Sequence, residues 1–86
     1  MIGDLALQAL EEIRRVAQRE LGLARVPAEA DDLLLDLQLD SVGLITLVVA
    51  LEDRFRVRLP EEAAARVRTV GDLVELVALR AQEAQP

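Results

Sequence analysis

The sequence predicts an all-α protein, a four-helix bundle with a short third helix and a long loop between helices 1 and 2. Three observations predict it. Apolar residues recur at spacings of three and four in three separate segments, the period of an amphipathic helix. Residues that start helices stand at the head of those segments: Asp4, the pair Asp40-Ser41, and Thr69 with Asp72 three positions on, as in a capping box. The one alternating stretch, Arg56-Val57-Arg58-Leu59, has no second strand to pair with, so it reads as an extended connection with Val57 and Leu59 turned inward.

Asp4 is the expected cap of helix 1, which should reach about Leu21. Ala6, Leu10, Ile13, Ala17 and Leu21 form its apolar stripe, widened by Leu7 and Val16. Glu11 and Arg15 fall opposite as a stabilising i,i+4 pair. Gly22 suits the stop. Leu23 to Leu39 has no clean period, and Pro27 forbids a helix interior around it. A loop of that length is uncommon unless it is functional or pinned. Asp31 and Asp32 should start a turn, and Leu33, Leu34, Leu35 and Leu37 should pin the loop to the bundle. Pro60, Glu61 and Glu62 suit a helix first turn, so Ala63 to Val67 is expected to form the short third helix. Val70, Leu73, Val74, Leu76 and Val77 stripe the fourth, and the end from Ala81 to Pro86 should fray.

Helix 2, from Ser41 to Phe55, carries two apolar stripes. Leu44, Leu47, Val48, Leu51 and Phe55 fall on one side and are the expected core face. Val42, Ile45 and Val49 lie on another side, near Glu52 and Asp53. A helix in a small bundle has one core to face. The second stripe is therefore either a second buried side or a surface that a partner covers. Asp40 and Ser41 place a hydroxyl at the start of this rigid element. A phosphate attached there would sit at the positive end of the helix dipole.

Composition excludes several function classes. The chain has 86 residues and reads as one domain, 1–86. It has no Cys, no His and no Lys, so the usual nucleophile–base pairs cannot be built and an enzyme is not expected. No metal site is read either, because Asp31, Asp32, Asp36 and Asp40 lack the Gly and terminal Glu of a calcium loop. No apolar run is long enough to span a bilayer and there is no signal peptide, so a soluble cytoplasmic protein is the expectation. The net charge is −6, and the whole excess lies in residues 26–62, with nine acids against three arginines. That sign argues against nucleic acid and for basic protein surfaces steered toward Ser41.

The stretch from Leu37 to about Asp72 resembles the acyl carrier protein family. The resemblance rests on Asp40-Ser41-Val42 opening a helix, on Leu47-Val48-Val49-Ala50-Leu51-Glu52-Asp53-Arg54-Phe55, and on Leu59-Pro60-Glu61-Glu62. It implies a carrier without catalysis of its own. Ser41 would bear a 4′-phosphopantetheine arm, transferred from coenzyme A by a phosphopantetheinyl transferase, and acyl intermediates would ride on the arm's thiol as thioesters. Asp40 would cap the helix and help present Ser41. Val42, Ile45 and Val49, with Glu52 and Asp53 beside them, would dock partners such as ketosynthases and acyltransferases. The core beneath Leu44, Leu47, Val48, Leu51 and Phe55 is where some members shelter the acyl chain. A freestanding monomer is implied, serving fatty acid synthesis, or polyketide or another specialised metabolite pathway. A peptidyl carrier of nonribosomal synthesis is the alternative, and Asp40, where those proteins have His, argues against it. An unmodified helical adaptor using the same stripe is the alternative from another class. The chain departs from the fatty-acid members in having Gly43 and Thr46 where they often carry acids.

Overall fold

The computed structural model describes residues 2–84 and consists of four helices. These are α1 (Ile2–Arg19), α2 (Ser41–Phe55), α3 (Glu61–Ala64) and α4 (Val70–Ala84). Helix α1 makes its most extensive contact with α4 and the next with α2, while α3 shares no extensive contact with any of them. Ile13 and Val16 from α1, Leu47 and Leu51 from α2, and Val70, Leu73 and Val77 from α4 meet in one core. These are the stripes that the 3.6-residue period selects.

Boundaries differ from the expectation in instructive ways. Helix α1 begins at Ile2, so Asp4 is not its cap; its carboxylate lies in the first turn, where the helix dipole still favours it. Arg15 bonds Glu12 in place of Glu11, through Nε at 2.9 Å and Nη2 at 2.6 Å. That pairing lets Glu12 be buried, and it holds the Glu12 carboxyl below the usual range. Gly22 ends α1 in the left-handed region, at φ 66°, and the Leu23 N–H turns back to the Ala17 carbonyl at 2.9 Å. Helix α3 starts immediately after Pro60 and stops at Ala64, earlier at both ends than the expected Ala63 to Val67. Helix α4 continues through Ala81 to Ala84, so the expected fraying does not begin at Ala81; positions 85 and 86 lie outside the described residues.

The long loop is pinned, by two of the four leucines expected and by Leu39. Leu33, Leu37 and Leu39 are buried, whereas Leu34 and Leu35 are exposed. The turn itself forms as read: Asp32 Oδ1 accepts from the Leu34 and Leu35 N–H groups, and Asp36 Oδ2 accepts from the Asp32 N–H. That turn points its two middle leucines outward. The larger restraint is a backbone seam to the start of α4. Leu33 donates to the Arg68 carbonyl, Val70 to that of Asp31 and Gly71 to that of Glu29, each at 2.9 Å. Asp32 and Thr69 face each other as an isolated antiparallel bridge. A Cβ at Gly71 would sit 3.2 Å from the Glu29 carbonyl oxygen, so the seam closes this tightly because position 71 has no side chain. Ion pairs flank it, Asp32 with Arg68 at 3.0 Å and Asp31 with Arg25.

Phe55 is only partly buried and packs against the core from its edge, with the Arg54 guanidinium 5.1 Å from its ring centre. Leu51 is fully enclosed. Leu51→Ala should therefore cost about 2–5 kcal/mol. Phe55→Ala should cost less than that. Denaturant midpoints rank the two, and the reverse order would place Phe55 at the centre of the core.

Backbone donors set the pH response. Asp31 accepts from the Ala28 N–H and then from Arg25, Asp32 from the Leu35 N–H and then from Arg68, and Asp72 from the Thr69 and Arg68 N–H groups. Each carboxyl is held below its ordinary value for these reasons. A carboxyl with a lower pKa folded than unfolded stabilises fully above its unfolded pKa of about 3.9, and that stability is lost as pH falls through the folded value. Circular dichroism should thus stay flat from neutral pH down to about 5 and fall away only below about 4. Loosening already near neutrality would show that the seam does not rest on these carboxylates.

Candidate functional site

The start of α2 is built by a division of labour between two adjacent residues. Asp40 stands just outside the helix in extended conformation, φ −93° and ψ −176°, and its Oδ1 accepts from the Gly43 N–H at 2.7 Å. Its carbonyl accepts the first helical bond, from the Leu44 N–H at 2.9 Å. Asp40 therefore does the capping. Ser41 is the first residue of α2 and is exposed, and its hydroxyl makes no hydrogen bond among the described residues. Leu39, buried just before them, and the seam behind it hold the pair in place.

Such a hydroxyl can carry a group without disturbing the fold. A phosphodiester on Ser41 would sit at the positive end of α2, where the neighbouring Asp40 carboxylate is already engaged on the Gly43 N–H. The residues present thus fit a 4′-phosphopantetheine arm, whose chemistry is a terminal thiol for thioester formation. The chain's own part is to hold the serine outward, keep its oxygen free of internal bonds and place it on a rigid element.

The other residues singled out by sequence lie along α2. Val42, Ile45 and Val49 are 72%, 61% and 46% exposed, so the second stripe is surface and not a second core. Leu47 and Leu51 of the first stripe are buried, with Leu44 and Val48 packed partly against the core. Asp53 is exposed and lines a groove between α1 and α2 with Arg15, Arg54, Ile45 and Val49. Glu52 has a task that the sequence did not indicate: its Oε2 accepts from the Leu59 N–H at 2.8 Å and ties the α2–α3 connection to α2. The connection itself begins with Arg56 in the left-handed region, at φ 54°, so it is not extended from its first residue. Gly43 is buried, and a Cβ there would lie 3.3 Å from Asp40 Oδ1. A side chain there would need the Asp40 carboxylate to give by a few tenths of an ångström. Its contact with the cap was not legible from spacing. A cleft of about 370 Å³ opens on the other side of the exposed stripe, between α2 and α3, lined by Leu44, Ile45, Val48, Val49, Leu59 and Ala64 among others.

A capped, outward-facing serine on a small helical bundle is an arrangement able to hold a covalent group and present it. Comparison with known proteins agrees. A family model described as a phosphopantetheine attachment site matches residues 11–77. The acyl carrier protein of Arthrobacter sp. (strain FB24) is 36% identical over 72 residues, covering 83% of this chain and 89% of that protein. The crystal structure of an acyl carrier protein from Thermotoga maritima superposes with a TM-score of 0.81 at 26% identity, over 94% of this chain and 95% of that one. The solution structure of the acetyl actinorhodin acyl carrier protein from Streptomyces coelicolor gives 0.63 at 29% identity, over 95% and 92%. The chain belongs to the phosphopantetheine-binding acyl carrier protein family. Members carry a covalently attached 4′-phosphopantetheine, interact with a phosphopantetheinyl transferase and with acyl-processing enzymes, and are carriers, not catalysts. Among the described residues, no helix is long and apolar enough to cross a membrane.

Asp40→Ala should destabilise by about 0.5–2 kcal/mol, the usual cost of a lost N-cap. Ser41→Ala should leave the melting curve in place, because no internal bond is removed. Thermal melts of the two variants side by side check this; a larger loss at Ser41 would mean that the serine, and not Asp40, caps α2.

Proposed function

We propose that Ser41 is the attachment point of the phosphopantetheine arm and that the chain works as a monomeric, cytoplasmic single-domain carrier of acyl intermediates. One observation carries the assignment of the residue: Ser41 is exposed at the start of α2 with an unengaged hydroxyl, its cap function taken over by Asp40. It is also the only serine in the chain. Loading would form a bond from the Ser41 oxygen to the pantetheine-side phosphorus of coenzyme A as its diphosphate bond breaks, releasing adenosine 3′,5′-bisphosphate. The serine proton leaves to a base of the transferase, since this chain has no His or Lys to accept it. Val42, Ile45 and Val49 form the docking ridge, with Glu52 and Asp53 at its far end. The apolar cleft between α2 and α3 gives an acyl chain a place out of water, bounded by Leu44, Val48 and Leu59.

For the pathway, we propose polyketide or another specialised route in preference to fatty acid synthesis. Two features support this reading. The helix after Ser41 lacks acids at Gly43 and Thr46, and the fold is similar to that of the actinorhodin carrier of Streptomyces coelicolor.

Intact mass after incubation with coenzyme A and a broad-specificity phosphopantetheinyl transferase tests the site. The parent should gain one phosphopantetheinyl group and Ser41→Ala none. A variant that still gains the mass would move the attachment to Thr46 or Thr69, the remaining hydroxyl residues.

A further inference from the structure

The lining of the α2–α3 cleft separates two classes of acyl cargo, an inference that rests on the carrier reading above. The cleft opens at Leu44, one turn from Ser41, and runs along α2 to Glu52, about 12 Å at a rise of 1.5 Å per residue. Leu44, Ile45, Val48 and Val49 form one wall, and Leu59, Ala64 and Ala65 the other. An acyl chain laid there would leave water and meet aliphatic side chains.

The charged part of the lining has one sign. Glu52 and Glu61 stand one on each wall, and no cation lines the cleft with them. Glu52 holds its Oε2 on the Leu59 N–H at 2.8 Å, which fixes this carboxylate at the cleft and also occupies the Leu59 donor. Glu61 is exposed in the first turn of α3 and makes no side-chain bond among the described residues. The arginines of neighbouring elements line other grooves. Arg15 and Arg54 line the one between α1 and α2, Arg56 the one beside Phe55 and Ala81, and Arg66 and Arg68 those facing α4 and the long loop. Arg58 is exposed and is not among the residues that line the cleft. Helix α3 offers the N–H groups of its first turn, and these share that turn with the carboxylates of Glu61 and Glu62. A carboxylate at the far end of an acyl chain would therefore give up its hydration beside Glu52 and Glu61 and gain no cation. A methyl end is favoured by the same move, since it only leaves water.

We infer that this cleft shelters acyl chains with an uncharged, aliphatic end and leaves thioesters of dicarboxylic acids outside, in solvent. A carboxylated acyl group on the arm stays open to the enzyme that consumes it, whereas an aliphatic chain is withdrawn from water between enzymes.

Hexanoyl and adipyl arms test this, because they have the same number of carbons and differ by a terminal carboxylate. A broad-specificity phosphopantetheinyl transferase places each on the protein from the corresponding acyl-coenzyme A, and intact mass establishes the adduct. Absence of any adduct would overturn the carrier reading and this inference together. On the loaded protein, hexanoyl should move the methyl NMR signals of Leu44, Val48 and Leu59 away from their positions in the phosphopantetheinyl form. It should also slow thioester cleavage by hydroxylamine about threefold or more relative to the same thioester on free pantetheine, the protection given when about two thirds of the chains are sheltered. Adipyl should leave those signals in place and be cleaved within about 1.5-fold of its pantetheine thioester. The methyl ester of the adipyl group, longer but uncharged, should behave as hexanoyl does, and it decides the point without any change to the chain. Glu61→Arg, at an exposed position, should keep the circular dichroism of the parent and admit adipyl, with protection of about threefold. Hexanoyl that moves no cleft signal, adipyl that moves them as far as hexanoyl, a methyl ester excluded like adipyl, or a folded Glu61→Arg that still excludes adipyl would each overturn the inference and leave the carrier reading standing.

Discussion

The backbone seam between residues 29–33 and the start of α4 is the constraint on which the site depends. A loop from residue 20 to residue 40 has no helix of its own, and its ordering cost is large. The seam meets that cost with backbone hydrogen bonds and with Leu33, which it places in the core. From there the chain has few choices. Leu37 and Leu39 go inward, Gln38 between them takes the left-handed conformation at φ 56°, and Asp40 arrives where it can cap α2. Gly71 makes the seam close enough to form, so a residue in α4 helps decide where α2 begins.

Capping at α2 separates two duties that one residue could have held. Serine is a good N-cap, and a serine so used has its oxygen occupied by a backbone N–H. Here Asp40 takes the bond and Ser41 moves one place into the helix, still exposed and unengaged. The helix behind it is likewise divided. Leu47 and Leu51 fasten α2 to α1 and the core, while Val42, Ile45 and Val49 add nothing to the fold that the structure shows. Exposed β-branched residues over about two turns weaken a helix slightly and add apolar surface. Their cost to the isolated protein is reasonable if a second protein covers them.

Sequence periodicity revealed the helices and both stripes of α2, because burial on a helix leaves a 3.6-residue trace. It also showed Asp40 as the cap of α2 and the capping box of Thr69 with Asp72, since such caps are local. Contacts between distant segments left no such trace. The seam joins residues about forty positions apart through backbone atoms, which every residue possesses. The choice of Glu12 over Glu11 as partner of Arg15 depends on which carboxylate faces α2, and both spacings are allowed on a helix. Leu34 and Leu35 looked like core because they are leucines, but the Asx turn at Asp32 sets their direction. Glu52 looked like a docking acid, and its bond to Leu59 depends on where the chain goes after α2.

Helix α3 shows how the bundle can be firm around Ser41 and yielding beside the cleft. It is four residues long, has no buried residue and gains no side-chain cap from Pro60. Its Glu61-Glu62-Ala63-Ala64 sequence has good helix propensity and almost no apolar grip. Leu59, buried ahead of it, and the Glu52 bond to the Leu59 N–H anchor the segment at one end. A segment so held opens at lower free energy than the core helices, since few apolar contacts must be broken. The α2–α3 cleft therefore has one wall in a helix packed on the core, from Leu44 to Val49, and one in a segment anchored mainly at Leu59.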